Sequence, residues 1–534
     1  MKKTITWLLI LAMAMALVGC GTSSSQPAAE TATASAPAET GSAPKEAAPA
    51  EAATARDTVN LAVTSALLSV DPHPRRDLQD MLTHGQVYEP LYYLNEKTLE
   101  FEPRIAEDYS VSDDGLTYTF KLRHGVKFHN GDELKASDVV FSLLRVKESA
   151  AWSAYTSNIA DVVAVDDYTV DVKVNTVDAT FMVCQAQLMI ISEREATEQG
   201  EAFGTQVALA GTGPYYFTYV DADVEWKLQA FPDYYRGEAP IKYINYRPIS
   251  DASAGLIAFE AGELDYYNAP VANWASLESN GDYKTEVVAG NHISYVAVNP
   301  LASEALGNDL VRKAIAYCID KESMNLAAFD GLAKEADYME NPEYNVGSAA
   351  SDVTYNFDLE KAKALMVEAG YPDGFDAGTI MVIPGGYYEK MAQVLQANLQ
   401  AIGIKAEIEG LQSNTITERG TKQDFDMMVY GYPSIGDFSN IAFKTHSRYV
   451  GSYFVKFEGD KFDYKRIDSL LDEGKACLDS EKRLEIDAEA NDAIMETATL
   501  LPCLHKALPY VWNADLNVVN MPNTYHVYDW SWNS

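Results

Sequence analysis

With 534 residues, the chain is too long for one ordinary hydrophobic core, and we expect two or more domains. Hydrophobic residues make up 47% of the sequence and charged residues 22%, which is the composition of a soluble globular protein. The formal net charge of −37 argues against nucleic acid and against anionic membrane surfaces as partners, because both attract clusters of Lys and Arg.

The N-terminus carries a short basic and apolar segment. Two lysines precede an apolar run from Ile5 to Val18, and the run closes with Gly19-Cys20. The pattern resembles a bacterial lipoprotein signal peptide over residues 1–19, with Cys20 as the lipidated residue after cleavage. A transmembrane anchor is the alternative, but the run is shorter than the ~20 apolar residues that a span needs. We therefore expect an extracytoplasmic protein that lipid alone anchors to the cell membrane.

Residues 20–56 form a second N-terminal segment, which is almost wholly Ala, Pro, Thr, Ser and Glu. Such a composition cannot bury an apolar core, so we predict a disordered tether that lets the folded part stand off the membrane. Folding is expected to begin near Asp57, where Val59, Leu61 and Val63 alternate as in a strand.

The most distinctive stretch runs from Ala106 to Arg145 and predicts a β-hairpin followed by a helix. The apolar positions of the hairpin alternate with polar ones on both sides of a His-Gly turn, at Tyr118, Phe120, Leu122, Val126 and Phe128. Ser137 is the predicted N-cap of the helix. The expected apolar stripe of the helix comprises Val140, Leu143 and Leu144.

Further elements follow in the second half of the chain. The spacing of apolar residues predicts amphipathic helices over residues 309–320, 358–374, 391–402 and 482–498. A strand is expected from Ile404 to Ile408 and another around residues 510–519. The order of helix and then strand near residue 400 suits an α/β domain.

The residue order in the distinctive stretch resembles a known family. SDDGLTYTF-x-LR-x-GVKFH-x-G followed by S-D-VVFS is similar to the signature of the family 5 extracellular solute-binding proteins, which are the dipeptide-, oligopeptide- and nickel-binding receptors of ABC importers. More matching motifs follow in the same order along the chain: VYEPLYYLN, GTGPY, PDYYRGEAP, FEAGELD and DLVRKAIAYCID.

The resemblance implies an α/β fold of the two-lobed periplasmic-binding-protein type II, in its large cluster C form, with an extra subdomain in the first lobe. We expect lobe I at residues 57–90 and 210–290, the additional subdomain at 91–209, and lobe II at 291–500. Residues 501–534 are expected to return to lobe I.

The function that the resemblance implies is capture without chemistry. A lipid-anchored monomer would take up dipeptides or oligopeptides between two closing lobes and deliver them to the permease and ATPase subunits of an ABC importer. A nickel chelate, an oligosaccharide, an opine-like compound or a role as a non-transport surface receptor is the alternative. GxSxG, HExxH and Walker A motifs are absent from the sequence, so we predict neither an enzyme nor a cofactor.

The cysteines after Cys20 are far apart, without a CxxC pair or a neighbouring His at metal-ligand spacing. We predict no disulfide and no metal site for Cys184, Cys318, Cys477 and Cys503.

Four aromatic residues are candidates for solute binding, and the last three of them align with segments that face the cleft in the resembled family. They are Tyr88, Trp274, Tyr295 and Tyr432. Tyr88 is equally well a core residue. The aromatic loop from Pro384 to Tyr388 is either a border of the pocket or only a turn.

The stretch DFDMMVYGYPSIGDFSN resembles the family pattern YDM-x-x-x-GW-x-x-D-x-x-DP, in which the acidic residue four positions after the glycine commonly pairs with the N-terminal ammonium of a peptide. Here Tyr432 follows Gly431 where Trp is usual, and Ile435 occupies the fourth position. Asp437 is the nearest carboxylate. It is either a ligand contact, since a buried ammonium without a partner is costly, or a loop aspartate that caps the turn.

Overall fold

The structure is a computed structural model that describes residues 56–533, apart from 344, 434–435, 450–463 and 523. Cys20, the predicted signal peptide and nearly all of the predicted tether lie outside the described residues. Within the part that is described, no helix combines the length and the apolar character that a membrane span requires.

The strands are β1 (Thr58–Val63), β2 (Tyr92–Leu94), β3 (Phe101–Pro103), β4 (Ala106–Val111), β5 (Thr117–Leu122), β6 (Ile159–Asp166), β7 (Thr169–Val174), β8 (Tyr215–Asp221), β9 (Glu225–Ala230), β10 (Tyr243–Pro248), β11 (Tyr266–Asn268), β12 (Tyr283–Val298), β13 (Lys334–Glu335), β14 (Phe375–Val382), β15 (Ile404–Gly410), β16 (Met427–Pro433), β17 (Leu500–Asn513), β18 (Leu516–Asn517) and β19 (Ser531–Trp532).

The helices are α1 (Leu78–Val87), α2 (Ala136–Lys147), α3 (Ser153–Thr156), α4 (Phe181–Gln185), α5 (Glu193–Gln199), α6 (Ala252–Glu260), α7 (Trp274–Glu278), α8 (Asp309–Ala316), α9 (Lys321–Phe329), α10 (Leu359–Glu368), α11 (Tyr387–Ala401), α12 (Ser413–Thr421), α13 (Ala442–Thr445), α14 (Tyr464–Ala476) and α15 (Ser480–Glu496).

One mixed sheet of 11 strands runs through the molecule in the order β15-β14-β16-β12-β17-β11-β1-β10-β9-β8, with β13 paired to β17. We call β1 and β8–β11 the first half-sheet, and β14–β16 the second half-sheet. The long strands β12 and β17 join the two halves, since they pair with each other from Tyr283 to Ala297. They are therefore the only ordered sheet connection between the half-sheets among the described residues.

The second half-sheet has an apolar core on each face. Met427 and Val429 of β16 pack into a core that contains helices α8–α11, whereas Met428 and Tyr432 pack into a core on the opposite face, with α14 and α15. This alternation is the two-residue period of a strand that is buried on both faces.

A separate antiparallel sheet, β4-β5-β7-β6, carries helix α2 and has its own core. We call it, together with α3 and α4, the subdomain. It lies within the predicted additional subdomain at residues 91–209. The boundaries of the lobes and of the subdomain stay predictions.

Several predicted elements are confirmed. Strands β1, β5 and β15 and helices α8, α10, α11 and α15 lie where the apolar spacing predicts them. Asp358 caps α10 through its side chain. The predicted strand around residues 510–519 is in fact the end of β17 followed by the short β18.

The predicted hairpin after Leu122 is wrong. Both edges of β5 are occupied, by β4 on one side and β7 on the other, so no further strand can pair there. Val126 and Phe128 are fully buried as the alternation predicts, but their segment pairs with residues 132–134, through one antiparallel bridge between Lys127 and Glu133, instead of with β5.

Helix α2 begins at Ala136, one residue before the predicted N-cap Ser137. The carboxylate of Asp138 accepts the backbone N–H of Lys135 at 3.0 Å and so closes the first turn. The buried face is rotated from the predicted stripe, because Val139 and Leu143 point inward while Leu144 is 39% exposed.

The GTGPY motif is a packing element. A Cβ atom on Gly211 would lie 2.0 Å from the carbonyl oxygen of Val87, and the backbone N–H of Gly213 donates to the same carbonyl at 2.9 Å. Only glycine allows this approach of two backbones. The motif therefore fixes the chain against the end of α1.

Candidate functional site

The topology makes the carboxyl ends of the two half-sheets face each other. In the first half-sheet, β1, β10 and β11 are parallel and end together at Val63, Pro248 and Asn268. β12 runs parallel to β11 and passes beyond this edge after Glu286. It then pairs antiparallel with β16, where His292 lies opposite Pro433. It therefore enters the second half-sheet at the carboxyl end of β16. Ligands of open α/β sheets bind in such a crevice. We call it the central cleft.

A group of tyrosines forms the wall of the central cleft on the second half-sheet. Tyr387 and Tyr388 begin α11 directly after β14, and their ring centroids are 4.2 Å apart. Tyr388 stacks on Tyr430 of β16 at 5.7 Å, and the Tyr430 hydroxyl is 2.8 Å from that of Ser413. The loop from Pro384 to Tyr388 thus joins the carboxyl end of β14 to α11, and its role as a border of the pocket stays a prediction.

The packing of Tyr388 against β16 requires a glycine at Gly431. A Cβ atom there would lie 2.6 Å from the Tyr388 hydroxyl and 2.6 Å from the carbonyl oxygen of Ile293. The glycine of the sequence motif therefore lets Tyr388 pack against β16 at the cleft edge.

Lys506 lies at the crossing between the half-sheets. It is opposite a bulge of β12, since Ala289 pairs with Ala507 and Ile293 pairs with His505. Its ammonium is 5.9 Å from the ring centroid of Tyr387. Within the described part of the chain, it has no carboxylate at ion-pair distance. Burial lowers the pKa of Lys506, because a cation is poorly solvated there.

His292 stands beside Lys506 and stays neutral near pH 7. Burial lowers its pKa to about 4, and the neighbouring Lys506 charge acts in the same direction. Its Nε2 atom is 3.4 Å from the Tyr388 hydroxyl. The positive charge of this wall is thus concentrated on Lys506.

A second polar cluster lies on the face of the second half-sheet that packs against α14 and α15. The rings of Tyr295 and Tyr432 meet edge to face at 5.9 Å, and the Tyr432 hydroxyl donates to the buried Glu340 carboxylate at 2.5 Å. The ammonium of Lys444 is 4.7 Å from the Tyr432 ring centroid. Burial lowers the pKa of Lys444 to about 8, against the opposing effect of Glu340.

Asp437 is buried in an ion pair. Its Oδ1 atom accepts from Nη2 of Arg483 at 2.6 Å, and both side chains are about 5% exposed. Asp487 is the second carboxylate on Arg483, at 3.3 Å. Burial raises the pKa of Asp487 to about 7, while Arg483 lowers it and Asp437 raises it.

A pocket separates the subdomain from the second half-sheet. It encloses about 660 Å³, including the solvent at its mouth. Its walls come from α3, α4, the segment after β16, α13 and α14. We call it the lateral pocket.

The comparisons with known proteins decide the family. The model of the bacterial extracellular solute-binding proteins, family 5 Middle, matches residues 100–445. The chain belongs to this family. Its members bind solutes for ABC importers and are not enzymes, so the prediction of a solute-binding protein is confirmed at that level.

Two sequence relatives and one solved structure show how far the likeness of this family 5 protein extends. Heme-binding protein A of Haemophilus influenzae is 27% identical over 453 residues, which are 79% of this chain and 82% of that protein. Glutathione-binding protein GsiB of Salmonella paratyphi A is 28% identical over 469 residues, 85% of this chain and 90% of that one. The structure of HbpA2 from Haemophilus parasuis has a TM-score of 0.79 at 26% identity and covers 89% and 100% of the two chains.

These comparisons confirm the predicted type II fold. Within it, Tyr295 lies on β12, Tyr432 on β16 and Asp437 directly after β16, whereas Tyr88 packs in the core of the first half-sheet and Trp274 follows β11. Ile435 is outside the described residues.

The predicted site residues of this family 5 protein differ in their surroundings. The Tyr88 hydroxyl donates to the carbonyl of Val70 at 2.9 Å, and its side chain is 1% exposed in the core of the first half-sheet. Trp274 begins α7 just beyond the carboxyl end of β11 and is 7% exposed. Roles in solute binding for these residues, and for Tyr295, Tyr432 and Asp437, stay predictions.

Sequence reasoning missed the groups that the fold brings to the cleft from distant strands. Lys506 and His292 are 214 positions apart but face each other across a strand bulge. Arg483 lies on a helix that carries no motif, and only the fold places it on Asp437. A His-Lys pair in the middle of a largely apolar strand, LLPCLHKALPYV, is the signal that could have pointed to Lys506.

Proposed function

We propose that this family 5 protein is a lipid-anchored extracytoplasmic receptor that captures dipeptides or oligopeptides in the central cleft and delivers them to an ABC permease. Cys20 would carry the lipid, and residues 20–56 would be the tether. The glutathione-binding relative supports the peptide class, since glutathione is itself a tripeptide.

Lys506 is the observation that carries the proposal. A mostly buried cation without a counter-charge in the described part of the chain is costly, unless a ligand supplies that charge. The free carboxylate of a peptide provides it, and the tyrosines of the wall provide apolar contact and hydroxyl groups along the backbone. A peptide in extended form would span the facing sheet edges.

Calorimetry with residues 21–534 and tripeptides tests the peptide class. Ala-Ala-Ala should bind, and its C-terminal amide should bind roughly tenfold more weakly, because the charge-assisted bond to Lys506 is lost. Mass spectrometry of small molecules that co-purify with the protein should yield peptides. A nickel chelate, an oligosaccharide or an opine in that fraction, together with no binding of tripeptides, would contradict the proposal.

The anchor has its own test. Radiolabelled palmitate should enter the wild-type protein, and Cys20→Ser should remove the label and release the protein from the membrane fraction. Retention of Cys20→Ser in that fraction would show that the segment is a transmembrane anchor.

A further inference from the structure

The lateral pocket contains two hydrogen-bonding groups that are not satisfied within the described structure. The hydroxyl of Tyr155 and the amide nitrogen of Asn440 are buried and have no hydrogen-bond partner there. Both side chains line the pocket, and each is 7% exposed. A buried polar group without a partner is destabilising, so the pocket favours a ligand that accepts hydrogen bonds.

The charged groups of the lateral pocket are already matched. Asp437 is paired with Arg483 at 2.6 Å, and Lys475 of α14 with Asp178 of the subdomain at 3.4 Å. Arg448 pairs with the carboxylate of Asp472.

A histidine completes the polar wall of the pocket. His446 lies between two carboxylates, with Nε2 3.2 Å from Asp472 and Nδ1 3.4 Å from Asp468. A ligand carboxylate would lose its hydration in the pocket and would meet the carboxylates of Asp437 and Asp472, whereas an uncharged amide avoids both costs.

The rest of the wall is apolar or weakly polar. Ala154, Val183 and Cys184 come from the subdomain, and Ala442 and Leu471 come from the other side. Burial raises the pKa of the Cys184 thiol to about 12, so this cysteine stays protonated and adds no charge.

The lateral pocket is next to the central cleft along the chain. β16 ends at Pro433, on the cleft edge, and Asp437 and Asn440 follow within seven residues in the pocket wall. The wall of the pocket thus continues the chain directly after the strand that ends at the cleft edge.

We propose that the lateral pocket is a side-chain subsite that selects an uncharged, carbonyl-bearing group, such as the amide of Gln, through Tyr155 and Asn440. This inference rests on the proposed peptide function. Tyr155 belongs to the subdomain and Asn440 to the segment after β16. The subdomain and the second half-sheet must therefore be in contact for the side chain to be bound.

Three pairs of tripeptides test the subsite by calorimetry with residues 21–534. Each pair places Gln or Glu at the first, second or third position among alanines, so its members differ only in amide against carboxylate. At one position, the Gln peptide should bind at least about tenfold more tightly than the Glu peptide, since a buried charge without a partner is disfavoured.

Tyr155→Phe and Asn440→Leu should each weaken that Gln peptide about 3- to 10-fold, and should weaken Ala-Ala-Ala by clearly less, since each removes one hydrogen bond to the amide. Tyr219→Phe, at a tyrosine that is 44% exposed and outside the pocket, is the matched control and should change neither value. Without peptide, Tyr155→Phe should not lower Tm, because its hydroxyl makes no hydrogen bond there.

The possible results separate the two proposals. If tripeptides bind but amide and carboxylate are not distinguished at any position, or if both pocket variants keep the full preference, the subsite is refuted and the peptide function stands. If none of the tripeptides binds the wild-type protein, the peptide function and the subsite fall together.

Discussion

Replacing Lys506 with Met removes the charge from the central cleft and keeps most of the apolar stem. Lys506 faces Tyr387 and has no ion-pair partner in the described part of the chain, so the substitution breaks no bond within the protein that is seen there. A charge-assisted hydrogen bond to a ligand carboxylate contributes about 1.5–3 kcal/mol. The Kd of Ala-Ala-Ala should therefore rise roughly 10- to 150-fold.

Lys506→Met should stabilise the folded protein, although it weakens peptide binding. Burial lowers the pKa of Lys506 in the folded protein below its value in the unfolded chain. The unfolded chain therefore binds this proton more tightly than the folded protein does. The charged lysine therefore destabilises the folded state at neutral pH, and this penalty falls as the pH rises toward the ordinary lysine pKa. Lys506→Met should raise Tm at pH 7 in the absence of peptide.

Calorimetry and thermal unfolding on the same preparations check both effects. Lys506→Arg keeps the charge and is the control for binding, and the C-terminal amide of Ala-Ala-Ala should lose less than about threefold with Lys506→Met. A lower Tm together with equal losses for the acid and the amide would mean that Lys506 has a structural role, and would refute the reasoning.

Three further substitutions probe the ion pair, the backbone contact and the buried histidines. Asp437→Asn should lower the free energy of unfolding in urea by about 3 kcal/mol, since Arg483 loses its nearest counter-charge; if Asp437 also binds an ammonium, a free-amino tripeptide loses more affinity than its N-acetyl form, and equal losses remove that role. Gly211→Ala should cost about 2–4 kcal/mol through overlap of backbone atoms, whereas Gly281→Ala, which meets no atom within 4 Å, should be nearly neutral. Burial lowers the pKa of His129 to about 4, so wild-type stability falls as the pH falls below 6.5, and the deficit of His129→Gln should shrink by about 2 kcal/mol between pH 7.5 and 5; a deficit that is independent of pH would contradict this.

The sequence predicts the elements whose apolar pattern is local. Helix α8 buries Val311, Ala314 and Ile315 as its spacing requires, and α10 starts at its capping Asp358. The prediction of a hairpin after Leu122 was wrong, because the alternation of apolar residues indicates which side chains are buried but not which strands pair with each other. The neighbour of β5 is β7, which lies 47 residues beyond Leu122, at Thr169–Val174.

The site is harder to predict from the sequence than the helices and strands are, because its groups come from separate elements. The motif around Gly431 lies at the carboxyl end of β16, and its role in solute binding stays a prediction. The ion pair of Asp437 could not be foreseen, since Arg483 is 46 positions away on a different element. Likewise, the unpaired state of Tyr155 depends on what surrounds its hydroxyl, which only the packing of the subdomain defines.

A crystal structure of residues 21–534 grown with saturating Ala-Ala-Ala tests the central cleft most directly. We predict peptide density between the two sheet edges, with its carboxylate within hydrogen-bond distance of the Lys506 ammonium and its backbone along Tyr387 and Tyr388. Peptide density on an outer surface alone, or an ordered cleft that holds no peptide at saturation, would contradict the account.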